Sequence, residues 1–215
     1  MEITVISCPH DEPFEIEEAV RMFDSGLKHF HIRKPRMAKA ELEEYIQRFP
    51  HHFRKRLILH SYHSLADQYQ LGGIHLSREH RKRNKFYEFR LWIKRRLNPD
   101  LVVTRTFHRL TDITSDKRTY TYAFLSPLFD SVTRSSLAGG FSRRALLIII
   151  PQARQPIYAL GGVTVDRLKT VYENGFHGAA FHGSLWENEI PAHDIFLEGT
   201  RMARELDSIN SGSEA

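Results

Sequence analysis

The 215-residue chain reads as an α/β protein folded into a single (β/α)8 TIM barrel. Three observations predict this. Eight short apolar, β-rich runs recur along the chain; stretches with helical periodicity separate them; and the length suits one large domain with no linker. Strands that alternate with helices pair in parallel, because parallel neighbours need long crossovers. Eight such units predict a closed barrel. The competing open, doubly wound sheet carries a glycine fingerprint after its first strand, and ISCPHDEP offers none there.

The first run, ITVIS (3–7), is β-branched and ends at Cys8; EIEEAVRMF follows with apolar residues three and four apart, the spacing of one helix face. LKHFHI (27–32) is the second strand and AELEEYIQRF the second helix. RLILH (56–60), SLADQYQL and GGIHL (72–76) supply the third strand, third helix and fourth strand. A basic stretch, REHRKRNKFYEFRLWIKRR (78–96), sets Phe86, Phe89, Trp92 and Ile93 at helical spacing and reads as one amphipathic helix. Its charges are either a solvated face or a surface for RNA or a protein partner, and no nucleic-acid motif accompanies them. LVVT (101–104) and YTYAFL (120–125) are strands five and six, with weaker helical signals over 108–116 and 142–150. PIYAL (156–160), TVDRLKTVYENG, GAAFH (178–182) and HDIFLEGTRMARELDSI complete the series. The domain therefore spans 1–208, and 209–215 is expected to be a disordered tail.

Composition narrows the classes of function. Hydrophobic residues make up 41% and charged residues 27%, as in a soluble globular protein, and the longest apolar run, ALLIII (145–150), is far too short to cross a bilayer. No secretory signal opens the chain, so a cytoplasmic location is expected. The single cysteine forbids an internal disulfide, and Cys8 reads as buried and inert. Lys and Arg exceed Asp and Glu by 31 − 26 = 5, which suits an anionic partner without naming it. A membrane or nucleic-acid partner is not expected, and self-association is left open.

In a barrel, chemistry sits where strands end, so the closing residues carry the most weight. After strand seven come Gly161 and Gly162, and after strand eight Gly183 and Ser184. Paired glycines let backbone N–H groups close around a phosphate, or they make a turn. HFHIRKPR puts His31 and Arg33 on one face of strand two. An arginine at a barrel mouth is an anion ligand or the partner of a neighbouring strand-end acid. VVTRTFH places His108 four residues beyond the fifth strand, where an imidazole suits proton transfer. HSYH (60–63), HLSREH (75–80) and His51-His52 bring histidines together without an HExxH pair or a cysteine cluster, so no metal site is expected.

These segments resemble the thiamin phosphate synthase and TenI superfamily over nearly the whole chain. The carriers are GLKHFHIRKP, LILHSYHSLADQYQLGGIHLS, VVTRTFH, FLSPLFDSVTR and, most specifically, PIYALGGVTVDRLKTVYENGFHGAAFHGSLW. The resemblance implies that Gly161, Gly162, Gly183 and Ser184 bind a thiazole phosphate. The synthase branch joins a pyrimidine diphosphate to that thiazole with Mg²⁺, and this chain departs from its pattern. Arg33 is kept, but His31 and Pro35 stand for a glutamine and a lysine, and His60-Ser61 for an Asn-Asp pair. His80 replaces a metal-binding aspartate, Thr106 a serine and Arg134 a lysine. The TenI branch includes metal-independent thiazole tautomerases with a histidine two residues after the strand-five hydroxyl, as in Thr106-Phe107-His108. On that resemblance His108 moves the proton, Arg33 or Arg134 holds the substrate carboxylate, and no cofactor is needed. His31, His60 and Thr106 then line the substrate pocket. A synthase with a degenerate Mg²⁺ site and a non-catalytic thiazole-phosphate binder are the alternatives.

Overall fold

A computed structural model of the chain describes residues 1–77, 85–129 and 141–211. Eight strands form a closed barrel in sequence order: β1 Glu2–Ile6, β2 Phe30–Ile32, β3 Leu57–Leu59, β4 Gly73–Leu76, β5 Val102–Phe107, β6 Tyr122–Leu125, β7 Ile157–Ala159 and β8 Gly178–Phe181. All pairs are parallel, and β1 closes the ring against β8 with Glu2 opposite Gly178 and Val5 opposite Phe181. The helices are α1 Glu15–Asp24, α2 Lys39–Gln47, α3 Ser64–Gln68, α4 Lys85–Leu97, α5 Leu110–Ser115, α6 Arg143–Ile149, α7 Leu168–Glu173, α8 Gly183–Trp186 and α9 Ala192–Ser211. Among the described residues no helix is long and apolar enough to cross a membrane.

Strand periodicity divides the core in two. Outward residues such as Val5, Phe30, Leu59, Phe107 and Phe181 pack beneath the helices in one large cluster, to which α1 adds Ile16, Ala19, Met22 and Phe23. The inward residues Ile6, Ile58, Val102, Tyr122, Phe124, Tyr158 and Ala180 form a separate plug inside the barrel. Polar side chains enter that interior too, Thr4, His31, His75 and Thr104 all being buried.

Three expectations are corrected. β5 runs through Phe107, three residues further than its apolar run suggests, so His108 follows the strand directly instead of standing four residues beyond it. β-branched Thr104 and Thr106, paired to β6, extend the ladder past the run's hydrophobic end. In α4 the apolar face is not the predicted one. Tyr87 and Leu91 pack on the core, whereas Phe89 and Trp92 point outward, stacked on each other. Its bases are held against the body by Lys94 to Asp67 and by Arg95 Nη1 donating to the Thr119 carbonyl at 2.7 Å. Residues 78–84 of the basic stretch lie outside the described residues. Finally, α9 continues to Ser211, so the first three residues assigned to a tail are helical.

The strand-two end shows how the barrel rim is fixed. Lys34, on the face opposite Arg33, is 3% exposed and pairs with Glu15 at 2.5 Å while donating to the His10 carbonyl at 2.8 Å. Glu15 also accepts from Tyr45 Oη at 2.7 Å and the Cys8 N–H. Removing one partner of such a pair strands a buried charge. Glu15→Ala is therefore expected to cost about 3–5 kcal/mol in urea unfolding, and a loss below about 1 kcal/mol would show that water reaches Lys34.

Candidate active site at the barrel mouth

Period-two alternation brings inward side chains of β2 to β5 together just below the rim. His31 of β2, His60 immediately after β3, and His75 of β4 each offer a ring nitrogen, all within 4.8 Å of one another. His31 Nδ1 is 3.0 Å from His60 Nε2, and His31 Nε2 is 2.6 Å from Tyr122 Oη. His60 and His75 stack at 4.0 Å with nearly parallel rings. His75 Nδ1 meets Thr104 Oγ1 at 2.9 Å, and its Nε2 is 3.3 Å from Thr106 Oγ1. His31 is fully buried, and burial, aided by the neighbouring His75 and His29, pushes its pKa well below the ordinary histidine value. Burial does the same to His60, helped by His75, His31 and the Arg33 charge. Both rings are neutral near neutral pH.

His75 had no role in the sequence reading. Its signal was present, a histidine in phase with the inward positions of GGIHL. What brings it into the cluster is the arrival of β2 and β3 beside it, which no local spacing encodes.

Arg33 stands on the rim, exposed, with its backbone N–H donated to Ser7 Oγ at 2.8 Å. Its charge reaches both His60 and His182. His182 closes β8 with Nε2 buried and lacking a hydrogen-bond partner. Burial first, then Arg33, lowers its pKa to about 4.

Across the mouth, His108 is exposed, and its Nδ1 lies 2.8 Å from the Ser126 carbonyl. A carbonyl can only accept, so Nδ1 carries the proton and a neutral ring keeps its lone pair on Nε2. The two glycine-bearing loops are tied to each other by Ser184 Oγ, which donates to the Val163 carbonyl at 2.5 Å. That bond uses the hydroxyl proton, so an anion could meet only the Ser184 backbone N–H, at the start of α8. Gly161 and Gly162 adopt φ of 92° and 63°, left-handed values that side chains resist. A Cβ on Gly161 would lie 2.8 Å from Pro127 Cα, so this glycine also lets the loops after β6 and β7 touch. The Phe129 N–H donates to the Gly161 carbonyl at 3.0 Å across the same contact.

Of the site residues taken from sequence, His31, His60 and Thr106 converge through His75; Arg33 stands above them; and His108 and the glycine loops occupy the β5 to β8 side. Arg134 and His80 lie outside the described residues. One of the large clefts among the described residues opens beside α4 and includes Lys34, Ser61, His63, Asp67, Arg90 and Lys94. It lies on the β2 to β4 side of the barrel, away from His108 and the glycines.

Magnesium asks for oxygen ligands in a near-octahedral shell. The inward donors of β2 to β4 are imidazole nitrogens, and Ser61 offers a hydroxyl where the synthase pattern places a carboxylate. This donor set does not fit Mg²⁺.

Residues 3–185 match a family described as thiamine monophosphate synthase. A curated Aquifex aeolicus (strain VF5) protein, provisionally assigned as thiamine-phosphate synthase 2, is 22% identical over 169 residues, covering 77% of this chain and 86% of the relative. Among solved structures, the thiamine phosphate pyrophosphorylase of Bacteroides thetaiotaomicron superposes with a TM-score of 0.75 at 21% identity, covering 95% of this chain and 98% of its own. That of Pyrococcus furiosus gives 0.74 at 16% identity, covering 95% and 96%. These two share the fold.

Histidines held neutral in the fold make stability depend on acid. The unfolded chain protonates His182 below about pH 6.5, whereas the folded chain does so only near pH 4. The contribution of His182 to stability therefore falls as pH drops from about 6.5 toward 4 and is constant below that. His182→Gln is expected to reduce the slope of unfolding free energy against pH in this window by up to one proton. Urea titrations at half-unit pH steps measure it; equal slopes would mean the ring is hydrated in the fold.

Proposed function

The chain belongs to the thiamine monophosphate synthase family, and from that premise we propose that it binds a thiazole phosphate and acts as a TenI-like thiazole tautomerase. The observation that carries this reading is the bond from His108 Nδ1–H to the Ser126 carbonyl. It leaves Nε2 free to accept a proton at the strand end, without assistance from a carboxylate.

In the proposed reaction Nε2 takes the proton from the ring carbon bearing the carboxylate, and the exocyclic side-chain carbon is the position to be protonated. The imidazolium then delivers it there, and the ring becomes aromatic with no change in composition. The Ser126 carbonyl steadies the transient cation by accepting from Nδ1–H throughout. Arg33 on the rim serves the substrate carboxylate, and Arg134 is its expected companion. The loops at Gly161-Gly162 and Gly183-Ser184 offer backbone N–H groups to the phosphate, drawn together by the Ser184 bond to Val163. His31, His60 and Thr106 line the floor of the pocket.

A synthase reading is favoured by the names of the relatives and by the retention of Arg33. It requires pyrophosphate to depart, a step in which concentrated negative charge needs a metal ion or several cations. The imidazole-lined floor makes it the second reading.

Conversion of the non-aromatic thiazole phosphate carboxylate to its aromatic tautomer, followed by absorbance without added Mg²⁺, tests the proposal. The native chain is expected to convert it, and His108→Ala to slow conversion by about 100-fold or more. No conversion above background by the native chain overturns the tautomerase reading. Product formed on adding a pyrimidine diphosphate and Mg²⁺ would then establish the synthase.

A further inference from the structure

We propose that His31, His60 and His75 form a binding site for one divalent transition-metal ion of the zinc class. The inference concerns nitrogen ligands and is independent of which reaction the barrel performs.

A tetrahedral ion held by imidazoles at about 2.0–2.1 Å keeps its ligand nitrogens about 3.3 Å apart. His31 Nδ1 and His60 Nε2 are already 3.0 Å apart, and all three rings offer a nitrogen within 4.8 Å. Binding needs the His60 ring, stacked on His75, to turn its lone pair toward the point between His31 Nδ1 and His75 Nε2.

The outer partners choose the ligating atoms. A metal-bound histidine characteristically gives its other ring N–H to an oxygen acceptor, which fixes tautomer and orientation. Two such pairs are in place, His31 Nε2 with Tyr122 Oη at 2.6 Å and His75 Nδ1 with Thr104 Oγ1 at 2.9 Å. They leave His31 Nδ1 and His75 Nε2 to face His60 and Thr106. His31 and His75 are buried, and His60 is half-buried, so the site is open on the side of the mouth. Three neutral nitrogens leave the ion its full double charge, and the fourth position therefore suits an anion or a hydroxide. Imidazole selects zinc, cobalt, nickel or copper over magnesium or calcium.

The full chain, stripped with chelator, is titrated with Co²⁺ while visible absorption is recorded, and Zn²⁺ is then added as competitor. The expected result is one Co²⁺ per chain with the bands of a four-coordinate ion, displaced by Zn²⁺, and a higher melting temperature in metal than in chelator. His60→Ala should weaken binding by about 100-fold or more, and Tyr122→Phe by about 10–100-fold. The His51→Ala, His52→Ala double variant removes an exposed histidine pair that precedes β3 and should bind as the native chain does. X-ray absorption at the zinc edge of the unaltered chain reads the ligands without any variant and should show three imidazole nitrogens at about 2.0 Å. Absence of stoichiometric binding, fewer than three imidazoles, or binding lost with His51 and His52 and kept without His60 would each overturn the site. Tautomer conversion that fails while Co²⁺ binds would leave the site standing and remove only the reaction.

Discussion

The constraint on which the rest depends is closure of the eight-stranded ring. Once β1 pairs with β8, every second residue of every strand enters a cylinder too narrow for bulk water. Seven of the inward positions are filled by Ile6, Ile58, Val102, Tyr122, Phe124, Tyr158 and Ala180, and the polar groups admitted among them must find one another. His31 therefore sits between Tyr122 and His60, and His75 between Thr104 and Thr106. Closure also sets protonation. The interior penalises charge, and His31, His60 and His182 are pushed toward the neutral form by burial before any neighbour acts.

The same closure divides the mouth into two chemically different halves. The strands from β2 to β4 present imidazoles and the rim charge of Arg33. The strands from β5 to β8 present His108 and loops whose backbone is shaped by glycine. The loops are interlocked: Ser184 bonds to Val163, the Phe129 N–H to the Gly161 carbonyl, and Gly161 packs against Pro127. A change at Gly161 would thus disturb three strand ends together, including the Ser126 carbonyl that orients His108.

Much of the fold was legible because its signals are local. Eight apolar runs, the α1 periodicity of EIEEAVRMF and the glycines after β7 and β8 each act within a few residues of chain. Errors arose where neighbours decide. β5 outlasts its apolar run because β6 pairs with Arg105, Thr106 and Phe107, and the polar Arg105 and Thr106 interrupt the hydrophobic pattern. In α4 the choice between Tyr87-Leu91 and Phe89-Trp92 as the buried face depends on where the helix lands, and both sets have helical spacing. His31, His60 and His75 are separated by 29 and 15 residues, numbers that match no metal motif. They meet because three consecutive parallel strands present the same inward register.

The exchange of residues at this mouth has a coherent direction. A carboxylate-rich pocket suits Mg²⁺, which organises phosphates and carries the charge of a departing pyrophosphate. Here the floor is imidazole, and the groups facing an anion are Arg33 and backbone N–H donors. A floor of that kind is consistent with the proposed proton transfer, which creates no leaving group to neutralise. Burial of His31 and His60 then has a second consequence. Rings that resist protonation are poor acceptors, so on the proposed reading the transfer falls to His108, whose Nε2 is turned to the mouth by the bond from Nδ1–H to the Ser126 carbonyl.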